Sequence, residues 1–107
     1  MPLHFIESPA FTASVRRHLE DDQYRALQAA LSLRPEQGAL IPGGAGLRKL
    51  RWGTQRRGKR GGVRAIYYWV VDASVCYMVY LYAKNEQGDL TPTQIRALAR
   101  VVREEFK

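Results

Sequence analysis

One cysteine, two histidines and no acidic residue between Gln37 and Val71 are the main things this 107-residue sequence withholds. Cys76 has neither a disulfide partner nor a CxxC neighbour. Lying in an apolar run, it is expected to be a buried, inert thiol. His4 and His18 stand far from the most basic stretch with no Cys or Asp at ligand spacing, so no metal is assigned to them. A glycine-rich phosphate loop, a Ser-His-Asp set and a pair of catalytic carboxylates are all missing, and no cofactor is expected. The apolar run Val75 to Ala83 is strand-sized, well short of the ~20 residues that a membrane helix requires. The segment Met1 to Glu7 has no basic stretch leading into an apolar one. A signal peptide is therefore not expected, and the cytoplasm is the default location.

The sequence has a surplus of positive charge: seventeen Lys and Arg against ten Asp and Glu, a net charge of +7 and a pI near 10. Eight of the seventeen, Arg48, Lys49, Arg51, Arg56, Arg57, Lys59, Arg60 and Arg64, crowd between positions 48 and 64. A field of one sign over so short a stretch predicts that something polyanionic docks there, nucleic acid or an acidic protein. The basic residues fall on expected strands rather than on one amphipathic helix, which argues against a membrane surface. Apolar residues make up 46% and charged residues 25%, the balance of a soluble globular chain. The length suits one hydrophobic core, hence a single domain over residues 1–107.

Periodicity orders the elements. Leu3 to Glu7 suits a short edge strand. Ser8-Pro9 reads as a helix cap and first turn, with Phe11, Val15 and Leu19 facing inward. Glu20-Asp21-Asp22 opens a second helix with Tyr24, Leu27 and Leu31 buried and Pro35 ending it, so the two helices form an antiparallel hairpin. Glu36 to Gly46 is a Gly- and Pro-rich loop. A basic strand around Leu50 follows, with Lys49 and Arg51 on the face opposite Leu50. Gln55 to Gly62 reads as a charged, mobile hairpin loop. Val63–Val71 and Val75–Lys84, apolar on both faces, suit central strands joined by a tight turn at Asp72-Ala73-Ser74. Thr91 as cap, Pro92 at the first position and Gln94 in the capping-box place start a last helix with Ile95, Leu98, Val102 and Phe106 on its apolar face. The expectation is an α+β domain of order β-α-α-β-β-β-α, an antiparallel sheet with an N-terminal helical hairpin and a C-terminal helix.

Three stretches in this order carry a family likeness: Gly46-Leu47-Arg48-Lys49-Leu50-Arg51, Gly62-Val63-Arg64-Ala65-Ile66-Tyr67-Tyr68, and Leu81-Tyr82-Ala83-Lys84-Asn85-Glu86. The Asp89-Leu90-Thr91 step into the last helix adds to them. With these residues the chain resembles the RelE/HigB superfamily of bacterial toxin–antitoxin toxins along almost its whole length, the HigB-like branch above all. The resemblance implies a metal-independent endoribonuclease that cuts mRNA in the decoding site of the ribosome, the ribose 2′-OH attacking the adjacent phosphate. It also implies a cognate helix-turn-helix, HigA-like antitoxin; a monomeric toxin, oligomeric with that antitoxin, is the simplest expectation. One departure stands out: some RelE relatives carry an arginine where this chain has Lys84 followed by Asn85. The identity of the general base is left open by it.

Read as chemistry, Arg64 is the expected stabiliser of the phosphorane-like transition state, because a guanidinium fork matches two phosphate oxygens. Tyr82 and Lys84 share side-chain parity and are expected to emerge beside Arg64, as proton carriers or phosphate contacts. Arg48, Lys49 and Arg51 are expected to grip flanking phosphates or ribosomal RNA, and Arg56, Arg57, Lys59 and Arg60 to add affinity. Trp52, Tyr68 and Trp69 suit base stacking, though core packing is the commoner role of strand aromatics. Two other readings stand beside the nuclease: a non-catalytic RNA- or ribosome-binding module using the same hairpin, and a basic partner for an acidic protein.

Overall fold

The first helix begins where a serine can do two jobs at once. In the computed structural model, which describes residues 3–53 and 62–106, α1 spans Pro9–His18. Ser8 Oγ accepts from the Phe11 N–H at 3.0 Å and donates to the Val79 carbonyl at 2.6 Å. One hydroxyl thus caps the helix and ties it to the sheet. Helix α2, Asp21–Leu33, follows after two residues, with Glu20 and Gln23 in a reciprocal capping box. It ends just before Pro35, as the restriction on pre-proline residues requires. Phe11, Val15, Leu19, Leu27 and Leu31 form one cluster with Leu50, Val63, Ala65, Tyr67, Met78 and Leu81.

The sheet those helices cover has the order β1-β5-β4-β3-β2, with β1 His4–Glu7, β2 Ala39–Leu40, β3 Arg48–Trp52, β4 Val63–Val70 and β5 Val75–Ala83. The two apolar strands are central and β1 is an edge, as their patterns predict. Two features differ from expectation. The edge strand β1 runs parallel to β5, His4 beside Val75 through Glu7 beside Met78, so the sheet is not purely antiparallel. The loop expected over Glu36 to Gly46 contains a two-residue strand, β2, antiparallel to β3.

Side chains of β3 and β4 cause the second difference. The Tyr67 hydroxyl donates to the Pro35 carbonyl at 2.6 Å and accepts from the Gly38 N–H at 2.9 Å. Arg48 Nη1 donates to the carbonyls of Glu36 and Gly38, each at 2.8 Å. These bonds strap the loop to the sheet, and its next two residues fall into pairing distance of β3. A Cβ at Gly38 would stand 2.8 Å from the Tyr67 hydroxyl, so only glycine allows the strap.

Val71–Ala73 forms one turn of 3-10 helix, closed by Ser74 in the left-handed region at φ 53°. The last helix, α3, spans Pro92–Phe106. Thr91 Oγ1 accepts from the Gln94 N–H at 3.1 Å while Gln94 Oε1 accepts from the Thr91 N–H at 2.9 Å, the capping box its sequence predicts. Helix α3 lies on the face opposite α1 and α2, with Ile95, Leu98, Val102 and Phe106 against Leu47, Ile66, Tyr77 and Val79. The molecule is therefore three layers, helices α1 and α2, sheet, and α3. Among the described residues no helix is long and apolar enough to cross a membrane.

Candidate active site

Alternation along β3 and β4 separates the basic residues by face. Leu50 and Trp52 pack with α1 and α2, so Lys49 and Arg51 lie on the α3 side. Val63 and Ala65 likewise face α1 and α2, leaving Arg64 on the α3 side with Ile66 and Tyr68. Register then aligns two cross-strand rows on that side, Arg51–Arg64–Tyr82 and Lys49–Ile66–Tyr80. Arg48 is not part of this grouping. It falls on the other face, opposite Tyr67, and its guanidinium is engaged with the backbone at Glu36 and Gly38.

Tyr82 reaches Arg64 only through a slip in register. From the Val70–Val75 end the pairs run regularly to Tyr67 beside Met78, but the next is Ile66 beside Tyr80, with Val79 unmatched. Val79 is a one-residue bulge, and it turns Tyr80 and Tyr82 to the same face as Tyr77 and Val79. Regular pairing would have set Leu81 opposite Arg64 and sent Tyr82 to the other face. Tyr80 and Tyr82 instead stand side by side, ring centroids 6.0 Å apart. Nothing in the sequence marks Tyr80 out, because a bulge leaves no trace in hydrophobic periodicity.

Burial at this row differs from expectation. Arg64 is 7% exposed and Tyr82 only 3%. Tyr82 does not emerge: it belongs to the cluster beneath Leu90 and α3, and its hydroxyl is covered without a hydrogen-bond partner among the described residues. Desolvation raises its pKa, with the nearby Asp89 charge adding to that and Arg64 opposing it. The phenol is therefore neutral and suited to donate a proton rather than accept one. Lys84 lies beyond the end of β5, in the turn that follows, and is exposed, with its N–H donating to the Gly62 carbonyl at 3.0 Å. Arg64 Nη1 makes a long hydrogen bond, 3.5 Å, to the Val63 carbonyl.

Asp89 is the site residue that charge counting misses. Its Oδ1 lies 3.1 Å from Lys49 Nζ and accepts from the Leu90 N–H at 3.0 Å. The Lys49 hydrogen bond holds the Asp89 carboxyl below the usual carboxylate range; the Leu90 amide and the charge of Lys49 add to it, and Arg64 adds less. A cavity of about 220 Å³ opens beside the pair, between β2 and the start of α3, walled by Leu40, Ile41, Pro42, Leu90 and Ile95. The signal available in sequence was position alone: Asp89 sits two residues before the cap of α3, which brings it back over β3.

The remaining expected contacts divide simply. Arg56, Arg57, Lys59 and Arg60 lie outside the described residues. Trp52 and Trp69 pack against the α1/α2 core, and Tyr68 packs on Phe106 with centroids 5.6 Å apart, so all three serve the interior. Cys76 is fully buried and its thiol is pushed up to about 12 by desolvation. His18 Nε2 lies 3.3 Å from a Glu86 carboxylate oxygen. Among the described residues no group of three His, Cys, Asp or Glu side chains gathers to hold a metal ion.

No protein-family model matches the sequence. Solved structures do resemble it. A double arginine-to-alanine mutant of the E. coli toxin RelE in its free state superposes with a TM-score of 0.62 at 14% identity, over 99% of this chain and 100% of that one. A chain of the intact E. coli RelBE toxin–antitoxin complex superposes with a TM-score of 0.57, also at 14% identity, over 76% of this chain and 95% of that one. The α+β architecture described above is the RelE fold.

Proposed function

We propose that the chain is the toxin of a toxin–antitoxin system, a ribosome-dependent endoribonuclease that cuts translated mRNA, here of the HigB-like kind. The observation that carries this reading is the row Arg51–Arg64–Tyr82, backed by Lys49, on the one face of a RelE-like sheet where basic residues and a neutral phenol meet. In the proposed reaction the ribose 2′-oxygen attacks the adjacent phosphorus and the bond from phosphorus to the 5′-oxygen breaks. The products are a 2′,3′-cyclic phosphate and a 5′-hydroxyl end. Charge accumulates on the non-bridging oxygens, and Arg64, held nearly immobile by burial, meets it at no reorganisation cost. The 2′-hydroxyl releases its proton to solvent as it attacks, and the leaving 5′-oxygen takes one from Tyr82 or Lys84. Lys49 and Arg51 hold the flanking phosphates.

The RelBE complex supplies the analogy for an antitoxin partner; the partner proposed for this chain is a helix-turn-helix, HigA-like antitoxin that covers this face. The same row would also serve a non-catalytic binder of RNA or ribosomes, and the seclusion of the Tyr82 hydroxyl favours that second reading.

Expression of the chain and of Arg64→Ala in a bacterial host, with transcript 5′ ends mapped after brief induction, decides between them. The nuclease reading expects growth arrest with new ends inside reading frames, and loss of both in Arg64→Ala while the variant keeps its thermal transition. Arrest with intact transcripts would establish the binder instead. A fully active Arg64→Ala would remove Arg64 from the chemistry.

A further inference from the structure

One exposed flank of α3 carries three arginines that neither the fold nor the site described above uses. Arg96, Arg100 and Arg103 are all exposed, at spacings of four and three residues. At 3.6 residues per turn they fall on one narrow stripe, about 100° around the helix from the buried side at Ala99 and Val102. Among the described residues none of the three forms an ion pair. Arg96 reaches only the Thr93 hydroxyl, at 3.3 Å, and the neighbouring acid, Glu104, flanks the stripe without closing on Arg100. Like charges at these spacings each destabilise a helix, by about 0.2–0.5 kcal/mol. A stripe that forgoes compensation is suited to an external polyanion.

Its position gives the polyanion an identity. Helix α3 starts at the site, since Leu90 and Ile95 wall the same cavity as Lys49 and Asp89. It ends against Tyr68 and Tyr77, through Phe106. Those residues pair with each other on β4 and β5, four positions along β4 from Arg64. The stripe therefore leads away from Arg64 along the same side of the molecule. From Arg96 to Arg103 it rises about 10 Å.

We infer that Arg96, Arg100 and Arg103 form a phosphate track on α3 that holds the single-stranded RNA flanking the sheet site. The inference rests on the proposed reading only in taking RNA as the ligand of that site. A flexible single strand adjusts its torsions to the pitch of the arginines, and each guanidinium takes one phosphate through charge-assisted hydrogen bonds. The track confers length dependence, not base selectivity: a short oligonucleotide reaches the sheet residues alone, and a longer one reaches the helix as well.

The test uses the full chain and the triple variant Arg96→Gln, Arg100→Gln, Arg103→Gln. The probes are fluorescent 2′-O-methyl RNAs of three and twelve nucleotides, which lack the attacking hydroxyl and stay intact. Binding is followed by anisotropy between 50 and 200 mM salt. Losing three phosphate contacts lowers the slope of log K against log salt by about 2 for the twelve-mer. The wild-type-to-variant affinity ratio rises from near one for the three-mer to about tenfold or more for the twelve-mer. Equal slopes, or the same ratio for both lengths, overturn the inference, as does a wild type that binds neither probe. A variant that loses binding to polyglutamate but keeps the twelve-mer also overturns it, in favour of an acidic protein on this face. None of these outcomes bears on Arg64→Ala in the growth assay, so failure of the track and failure of the nuclease reading are told apart.

Discussion

At the scale of single residues, Tyr82 holds two opposing demands. Its ring fills the core beneath Leu90, while its hydroxyl is buried without a partner among the described residues, a state that costs about 1–3 kcal/mol. Tyr82→Phe removes the polar atom and keeps the shape. Its melting temperature should therefore exceed that of the wild type, by about 4 °C or more. If Tyr82 delivers the proton to the leaving oxygen, cleavage falls by roughly 10²–10⁴-fold in the same variant. A variant that is more stable and inactive marks a group kept for chemistry. A clear drop in melting temperature would mean that the hydroxyl is satisfied in solution. Arg64 stands in the same row at 7% exposure, with its Nη1 bonded to the Val63 carbonyl.

At the scale of elements, α3 matters more than its share of the fold suggests. It seals Tyr82, walls the cavity with Ile95 and presents the arginine stripe. Its start depends on the reciprocal bonds between Thr91 and Gln94. Thr91→Ala removes one of them and should cost about 1 kcal/mol, read as a lower urea midpoint at unchanged m-value. At this chain length the same loss lowers the melting temperature by about 4–8 °C. A drop in m-value as well would show that α3 detaches separately from the sheet. The hairpin carrying the site has its own constraint at Gly62, where φ is +50° and a Cβ would lie 2.3 Å from the Trp52 carbonyl oxygen.

At the scale of the whole molecule, helices on both faces bury the middle of β4 and β5, and those strands are expected to open last. Cys76 lies on β5, flanked by β1 and β4, with its thiol pushed up to about 12. A thiol whose folded pKa is raised contributes stability that is fully present below its unfolded value near 9, and that contribution is lost as pH rises towards the folded value. At pH 8 the native protein should therefore resist iodoacetamide, with alkylation limited by global unfolding and accelerated in step with added urea. Rapid labelling in the absence of denaturant would show that β5 is reached by local opening instead.

Local chemistry alone determined much of this protein: the caps at Ser8, Glu20 and Thr91, the apolar stripes of three helices, two central strands and the burial of Cys76. These signals act within one or two turns of chain, so a single sequence carries them. The crowding of positive charge from Arg48 to Arg64 was equally visible, and alternation set Lys49 and Arg51 opposite Leu50; what was not visible was the division across strands, which put Arg64 with them and sent Arg48 to strap a loop. Tertiary structure decided that division, together with the parallel edge strand, the arrival of Asp89 over Lys49 and the bulge at Val79 that sets Tyr82 rather than Leu81 beside Arg64. Each of these depends on which strands become neighbours and in what register. Register is settled by the packing of two helical layers against one sheet, not by the preference of any residue for its own conformation.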